Sequence, residues 1–298
     1  MNVLRASRSI LNLATLTCSG LLGGCIAGYG SFESEGLELP PKVDFDVRRG
    51  QVYTPPQWPE RLEADLYLPQ TAGRRPAVLA VHGGSWSGGS PAHMIAISRG
   101  LARRGFVVMN VAYRKAPAYL YPAPLEDLAQ ALRWLRDNSA DLDIDARRIG
   151  AFGYSAGAHL VTLLATRGAD DAPQLAAVVA GGTPADLLRW PDSPIVTRFL
   201  GKPSYEAQEL WAEASPVTHV SKDDPPMYLY HGADDTLVEP GQTEALADAL
   251  RQAGVPVEAR KASGLGHIAT FLFDAHSVAA GTAFLARELG LDPARTPG

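Results

Sequence analysis

From about residue 43 onward, short apolar runs alternate with stretches in which apolar side chains recur at helical spacing. That alternation predicts an α/β protein with a mostly parallel central sheet and helices on both faces. The runs at residues 77–81, 106–111, 149–152, 176–180 and 227–230 are dominated by apolar residues and read as central strands covered on both sides. Residues 43–47 and 62–68 instead alternate apolar and polar positions, as half-buried edge strands do, and should form an opening hairpin. A last strand is expected at 257–261 and helices at 93–104, 125–136, 156–165, 243–251 and 270–288. Residues 183–221 are a long mixed excursion between two strands, and their Trp190, Trp211 and proline breaks predict a small cap above the sheet. One domain covering residues 42–298 accommodates the whole pattern.

The first 41 residues follow a different pattern. Arg5 and Arg8 precede a mostly apolar stretch at 10–22, too short and too polar in its middle for a comfortable membrane span. Leu22-Gly23-Gly24-Cys25 follows, and this resembles a bacterial lipobox. The resemblance implies a lipoprotein signal peptide at 1–24, acylation of Cys25 and a membrane anchor through its lipid. Ile26 rather than an aspartate follows the cysteine, which by resemblance to Gram-negative lipoproteins leans toward the outer membrane. Residues 25–41, rich in Gly, Ser and Glu, read as a tether.

Composition narrows the picture by exclusion. With 46% apolar and 20% charged residues, 298 residues can bury one sizeable core. The net charge of −5, about −7 once the two leader arginines are removed, comes from interspersed acids and bases and gives no basic footprint for nucleic acid. Cys18 and Cys25 both lie near the N-terminus, so the folded part has neither a disulfide nor a thiolate metal site.

The chemistry concentrates at Gly153-Tyr154-Ser155-Ala156-Gly157, a G-x-S-x-G motif between a predicted buried strand and a predicted helix. Such a sharp turn strains the serine backbone and lifts its hydroxyl above the sheet. The Ala156 amide then stands at a helix start, where unpaired N–H groups favour developing negative charge. Serine needs a base, and the chain order of such sites is serine, acid, histidine. Among the later histidines, His267 sits in a Gly-Leu-Gly-His loop after the last strand and is the candidate base. His159, one helical turn past the serine, reads as packing or a hydrogen bond, and His276 lies mid-helix. His231 starts the loop His231-Gly232-Ala233-Asp234-Asp235, which it should help to shape. That loop offers Asp234 and Asp235 as acids, and adjacency does not choose between them. Upstream, His82-Gly83-Gly84-Ser85-Trp86 follows a predicted strand and is similar to the HGG-type loop of esterases, whose glycines let backbone amides turn toward a substrate oxygen. His82 precedes the serine and is expected to brace this loop.

Together with Tyr113-Arg114-Lys115-Ala116-Pro117 and Ala214-Ser215-Pro216-Val217-Thr218-His219, these segments resemble the acetyl esterase/lipase group of α/β hydrolases. The match is nearest to a bacterial feruloyl/acetyl-esterase-like branch related to hormone-sensitive lipase, and it runs over residues 43–289. The resemblance implies Ser155 as nucleophile, His267 as base and, through the family pattern HGxxDxxV, Asp235 as acid. By the same pattern Leu237 and Val238 should pin the acid loop to the core while Asp234 faces solvent. It further implies that Gly83, Gly84 and Ala156 supply the oxyanion donors. Two positions depart from the pattern: HGGG reads HGGS at Ser85, and YRLAP reads YRKAP at Lys115. The implied activity is hydrolysis of small carboxylic esters, short-chain acyl or aryl and sugar esters, through an acyl-enzyme and without metal or organic cofactor. An arylformamidase or peptidase-like amide hydrolase uses the same triad, and a non-catalytic binding lipoprotein is the alternative of another class.

Overall fold

The computed structural model describes residues 36–168 and 174–291. The leader, Cys25 and the tether up to residue 35 lie outside the described residues. The strands are β1 (Phe45–Val52), β2 (Glu63–Pro69), β3 (Arg75–Val81), β4 (Val107–Val111), β5 (Ile144–Tyr154), β6 (Val178–Gly181), β7 (Met227–Gly232) and β8 (Val257–Ala262). They form one sheet in the order β1-β2-β4-β3-β5-β6-β7-β8. β2 runs antiparallel to both β1 and β4, and every later neighbour pair is parallel. The opening hairpin is present, but of its two strands β1 alone lies at the sheet edge and β2 lies inside, while β8 forms the opposite edge.

Strand side chains alternate between two cores, as the period of two requires. Leu79, Val81, Met109 and Leu229 face one side, under α2 (Ala123–Asp137), α3 (Ala156–Thr166) and α6 (Gly241–Ala253). Val78, Ala80, Val108 and Val179 face the other, under α1 (Ile95–Ala102) and α8 (Ala275–Glu288). α3 is buried from Ala156 to Ala165, which is why its sequence is apolar all round rather than amphipathic. A mostly parallel sheet wrapped on both faces, with a serine turn between β5 and α3, is the α/β-hydrolase fold.

Two predicted helices differ from the structure. Residues 91–94 form a 3-10 turn before α1, so the helix starts later than the apolar period suggested. The helix predicted at 270–288 is two helices, α7 (His267–Phe273) and α8, bent by 66°. Asp274 separates them, because its carboxylate accepts the Ser277 N–H at 3.0 Å and caps α8 instead of continuing α7. Among the described residues no single helix is long and apolar enough to cross a membrane. Between β6 and β7, residues 183–221 fold into short pieces that include α4 (Pro194–Leu200) and α5 (Gln208–Glu213).

Candidate active site

Ser155 joins β5 to α3 with φ 55° and ψ −123°, a left-handed backbone that an L-residue adopts only when its surroundings enforce it. The glycines around it are required by close approach. A Cβ on Gly153 would lie 2.4 Å from the Gly157 carbonyl oxygen, and one on Gly157 would lie 2.2 Å from that of Val81. The Ser155 N–H is held by the Gly181 carbonyl at 2.8 Å, which ties the turn to β6. The hydroxyl is thus aimed at the strand ends, where β7 and β8 deliver the other two residues.

His267 is the first residue of α7 and is buried. Its Nε2 accepts from the Ser155 hydroxyl at 2.9 Å, and its Nδ1–H donates to Asp235 Oδ2 at 2.6 Å. Residues from three separate loops, 112 and 32 positions from His267 in the chain, are thereby aligned into one hydrogen-bonded relay. Asp235 Oδ1 accepts the amides of Leu237 and Val238, each at 2.9 Å. Burial works to raise the Asp235 pKa, but hydrogen bonds from His231, His267 and the Val238 amide outweigh it and hold the carboxyl well below the ordinary carboxylate range. Asp234 is exposed and uses its backbone N–H, which bonds the Leu265 carbonyl at 3.0 Å. Val238 anchors the loop as the pattern implied, whereas Leu237 is 52% exposed and lines the cleft, because its backbone rather than its side chain is what the loop needs.

Gly83 lies against the serine turn, so closely that a Cβ there would meet the Tyr154 carbonyl oxygen at 2.9 Å. Gly84 has φ +129°, and Ser85 and Trp86 follow with φ 53° and 56°, so the loop winds tightly beside Ser155. Ala156 opens α3, and an N–H at that position has no acceptor within the helix. Gly83 and Ala156 therefore flank the serine, and Gly84 continues the same loop with its nearest approach to Gly88 and Gly89. His82 braces the loop as expected: its Nδ1–H donates to the Gly83 carbonyl at 2.8 Å, its ring stacks on Tyr113, and burial pushes its pKa down to about 4. Lys115 is not among the residues lining the cleft and donates to the Gly89 carbonyl at 3.0 Å, holding the far end of the same loop.

Four further residues support the site, and of these the hydrogen bonding of His159 and the loop-shaping place of His231 were expected. The Tyr154 hydroxyl donates to the His267 carbonyl at 2.6 Å and fixes the start of α7. Trp86 donates through Nε1 to His159 Nδ1 at 3.1 Å and stacks on Phe199 of α4, so one indole joins loop, α3 and roof. His159 in turn donates from Nε2 to the Ala214 carbonyl at 2.7 Å, and burial pushes its pKa down to about 4. His231, at the start of the acid loop, meets the Val238 carbonyl and so helps to shape that loop as expected; its approach to the Asp235 carboxylate carried no sequence signal. Above Ser155 and Ala156 opens a cleft of about 350 Å³, walled by Trp86, Trp190, Ile195 and Leu237 and carrying Asp192 and Ser193 on its roof side.

Fold and site geometry together define an α/β hydrolase with a Ser-His-Asp constellation. The family model described as BD-FAE matches residues 64–250, and the chain belongs to that family. Esterase LipQ of Mycobacterium tuberculosis is 33% identical over 200 residues, covering 61% of this chain and 47% of its own. The probable isoprenylcysteine alpha-carbonyl methylesterase ICMEL1 of Oryza sativa is 31% identical over 245 residues, covering 72% and 56%. The chain thus spans about half the length of these curated relatives. Among solved structures, the thermophilic esterase Est2 of Thermogutta terrifontis with propionate bound is 26% identical with a TM-score of 0.68, covering 87% of this chain and 97% of that one.

Proposed function

We propose that this chain is a serine esterase for small carboxylic esters. The observation that carries the reading is the His267 imidazole bridging the Ser155 hydroxyl at 2.9 Å and the Asp235 carboxylate at 2.6 Å, beside an open cleft. His267 Nε2 takes the hydroxyl proton as Ser155 attacks the ester carbonyl, and Asp235 stabilises the imidazolium that results. The oxyanion lies against the Ala156 amide and those of Gly83 and Gly84, where preorganised donors are worth several kcal/mol of barrier, roughly 3 for each. The alcohol leaves with the proton from His267, and water attacks the acyl-enzyme by the same route in reverse.

A cleft of about 350 Å³ with aromatic walls suits a short acyl or aryl ester, and a relative of the same fold holds propionate. On a panel of aryl esters, Ser155→Ala should lower turnover by about 10⁴-fold or more, and a rate within tenfold of wild type removes the reading. The location we propose is the membrane, through a lipid on Cys25: a palmitate analogue should label the wild-type chain in cells, and labelling that persists in Cys25→Ser rejects the anchor.

A further inference from the structure

His231 is 2% exposed and belongs to no step of the chemistry above. Its Nε2 lies 3.0 Å from Asp235 Oδ2, the same oxygen that accepts from His267, and 2.8 Å from the Val238 carbonyl. Both neighbours are acceptors only, so Nε2 carries the proton. Nδ1 lies 2.7 Å from the Thr243 hydroxyl on α6, and in the neutral ring that hydroxyl donates to Nδ1 and fixes the tautomer. The Asp235 carboxylate then has two amides on Oδ1 and two imidazoles on Oδ2, which uses the four acceptor sites of a carboxylate.

We propose that His231 is the positioning residue of the acid: its Nε2–H, shared between Val238 and Asp235, locks the acid loop and aims Oδ2 at His267. The inference rests on the esterase reading. The other titratable groups around this pair are Tyr154 and His267 on the serine side and, on the cleft shared by α6 and β8, Glu244 paired with Lys261, then Asp248, Arg251 and Arg260. Asp235 is 4% exposed, so solvent has little room to replace a lost donor. Without it the carboxylate becomes more basic, which strengthens its hold on the His267 imidazolium. The carboxylate stays ionised across the working range, so it is the stronger hold on the imidazolium that moves the acid limb of the pH profile upward.

The test measures kcat, KM and the pH profile of kcat/KM on an aryl ester, with Ser155→Ala as control. His231→Leu should lower kcat about 10- to 100-fold with KM within about twofold, as a misaimed relay does. Its acid limb should move up by about half to one pH unit. His231→Gln, which keeps an N–H near Nε2, should restore kcat to within about fivefold. A folded His231→Leu with wild-type kcat and a superimposable profile overturns the proposal, as does a loss of kcat with no movement of the limb. Should His231→Leu not fold, Thr243→Val replaces it: lowered kcat and a raised limb, both restored by Thr243→Ser, support the proposal, and an unchanged profile overturns it. A wild-type chain no more active than Ser155→Ala removes the esterase reading itself, which is a different outcome.

Discussion

Below the cleft, Asp235 is surrounded by four N–H donors and Ser155 is pinned by backbone on both sides. Above it, α4 and the turns around it leave Ile195 and Leu188 each 38% exposed and Tyr205 78% exposed. The roof is not loose throughout, since Trp211 is fully buried and the Gln242 side chain accepts the amides of Ala185 and Asp186 at 2.9 and 2.7 Å. It is fastened at its base and open at its rim. Polar geometry fixes the floor, so a change of one atom there is felt at once; apolar contact shapes the rim, so changes there alter preference. The difference separates what reacts from what is selected.

The sharpest way to break this contrast is at the acid, where two neighbouring carboxylates occupy opposite regimes. Asp235→Asn keeps the shape but removes the charge that orders the imidazole, and turnover should fall by up to roughly 10⁴-fold, as when a triad histidine is held in the wrong tautomer. Asp234→Asn changes an exposed side chain and should stay within about tenfold. Steady-state kinetics on both purified proteins decide it, and the reverse ordering would move the acid to Asp234.

A second measurement asks how much of the floor's rigidity depends on neutral histidines. His159 is fully buried between Trp86 and Ala214, and its pKa falls from 6.5 to about 4 because burial penalises the cation. A depressed folded pKa contributes stability that is complete above the unfolded value near 6.5 and is lost as pH falls toward 4. At about 1.4 kcal/mol per unit, the loss is on the order of 3 kcal/mol over that window. His159→Gln can keep one acceptor and one donor without the titration. Urea unfolding at pH 7 and pH 4 should therefore show a smaller acid loss in the variant by about 3 kcal/mol, other titrating groups such as Asp127 cancelling in the difference. Equal losses would mean that the ring is protonated in place.

The same contrast explains what the sequence revealed. The strands were legible because burial on both faces leaves continuous apolar runs, and Ser155 was legible because close packing admits only glycine at 153 and 157. Asp235 was separable from Asp234 only through the family pattern, since its preference rests on imidazoles brought from β7 and α7 and on amides of the loop itself. The break at Asp274 was hidden because apolar periodicity runs through it while one side-chain cap interrupts it. Tyr154, Trp86 and His231 lay in segments the sequence singled out, but the distant carbonyl, imidazole or carboxylate that each meets was not legible there. The roof was legible only as a long insertion: its pieces are too short for a period to register.

The smallest expected effect lies at the rim and tests whether selection resides there. Ile195 opens α4 next to Pro194 and faces the cleft, with Leu237 and Trp190 among the other walls. Its side chain bonds nothing polar, so it can act on a substrate only by covering apolar surface. An acyl or aryl group that shields about 40 Å² of it gains about 1 kcal/mol at 25 cal/mol per Å². Ile195→Ser should therefore lower kcat/KM about fivefold on a bulky apolar ester, carried mainly by KM, because a contact present in both ground and transition states is uniform binding. On an acetyl ester, which offers little apolar surface to cover, the same variant should match wild type within about twofold. A fall of equal size on both esters would place Ile195 in the support of the floor, and the division between reacting and selecting regions would have to be redrawn at α4.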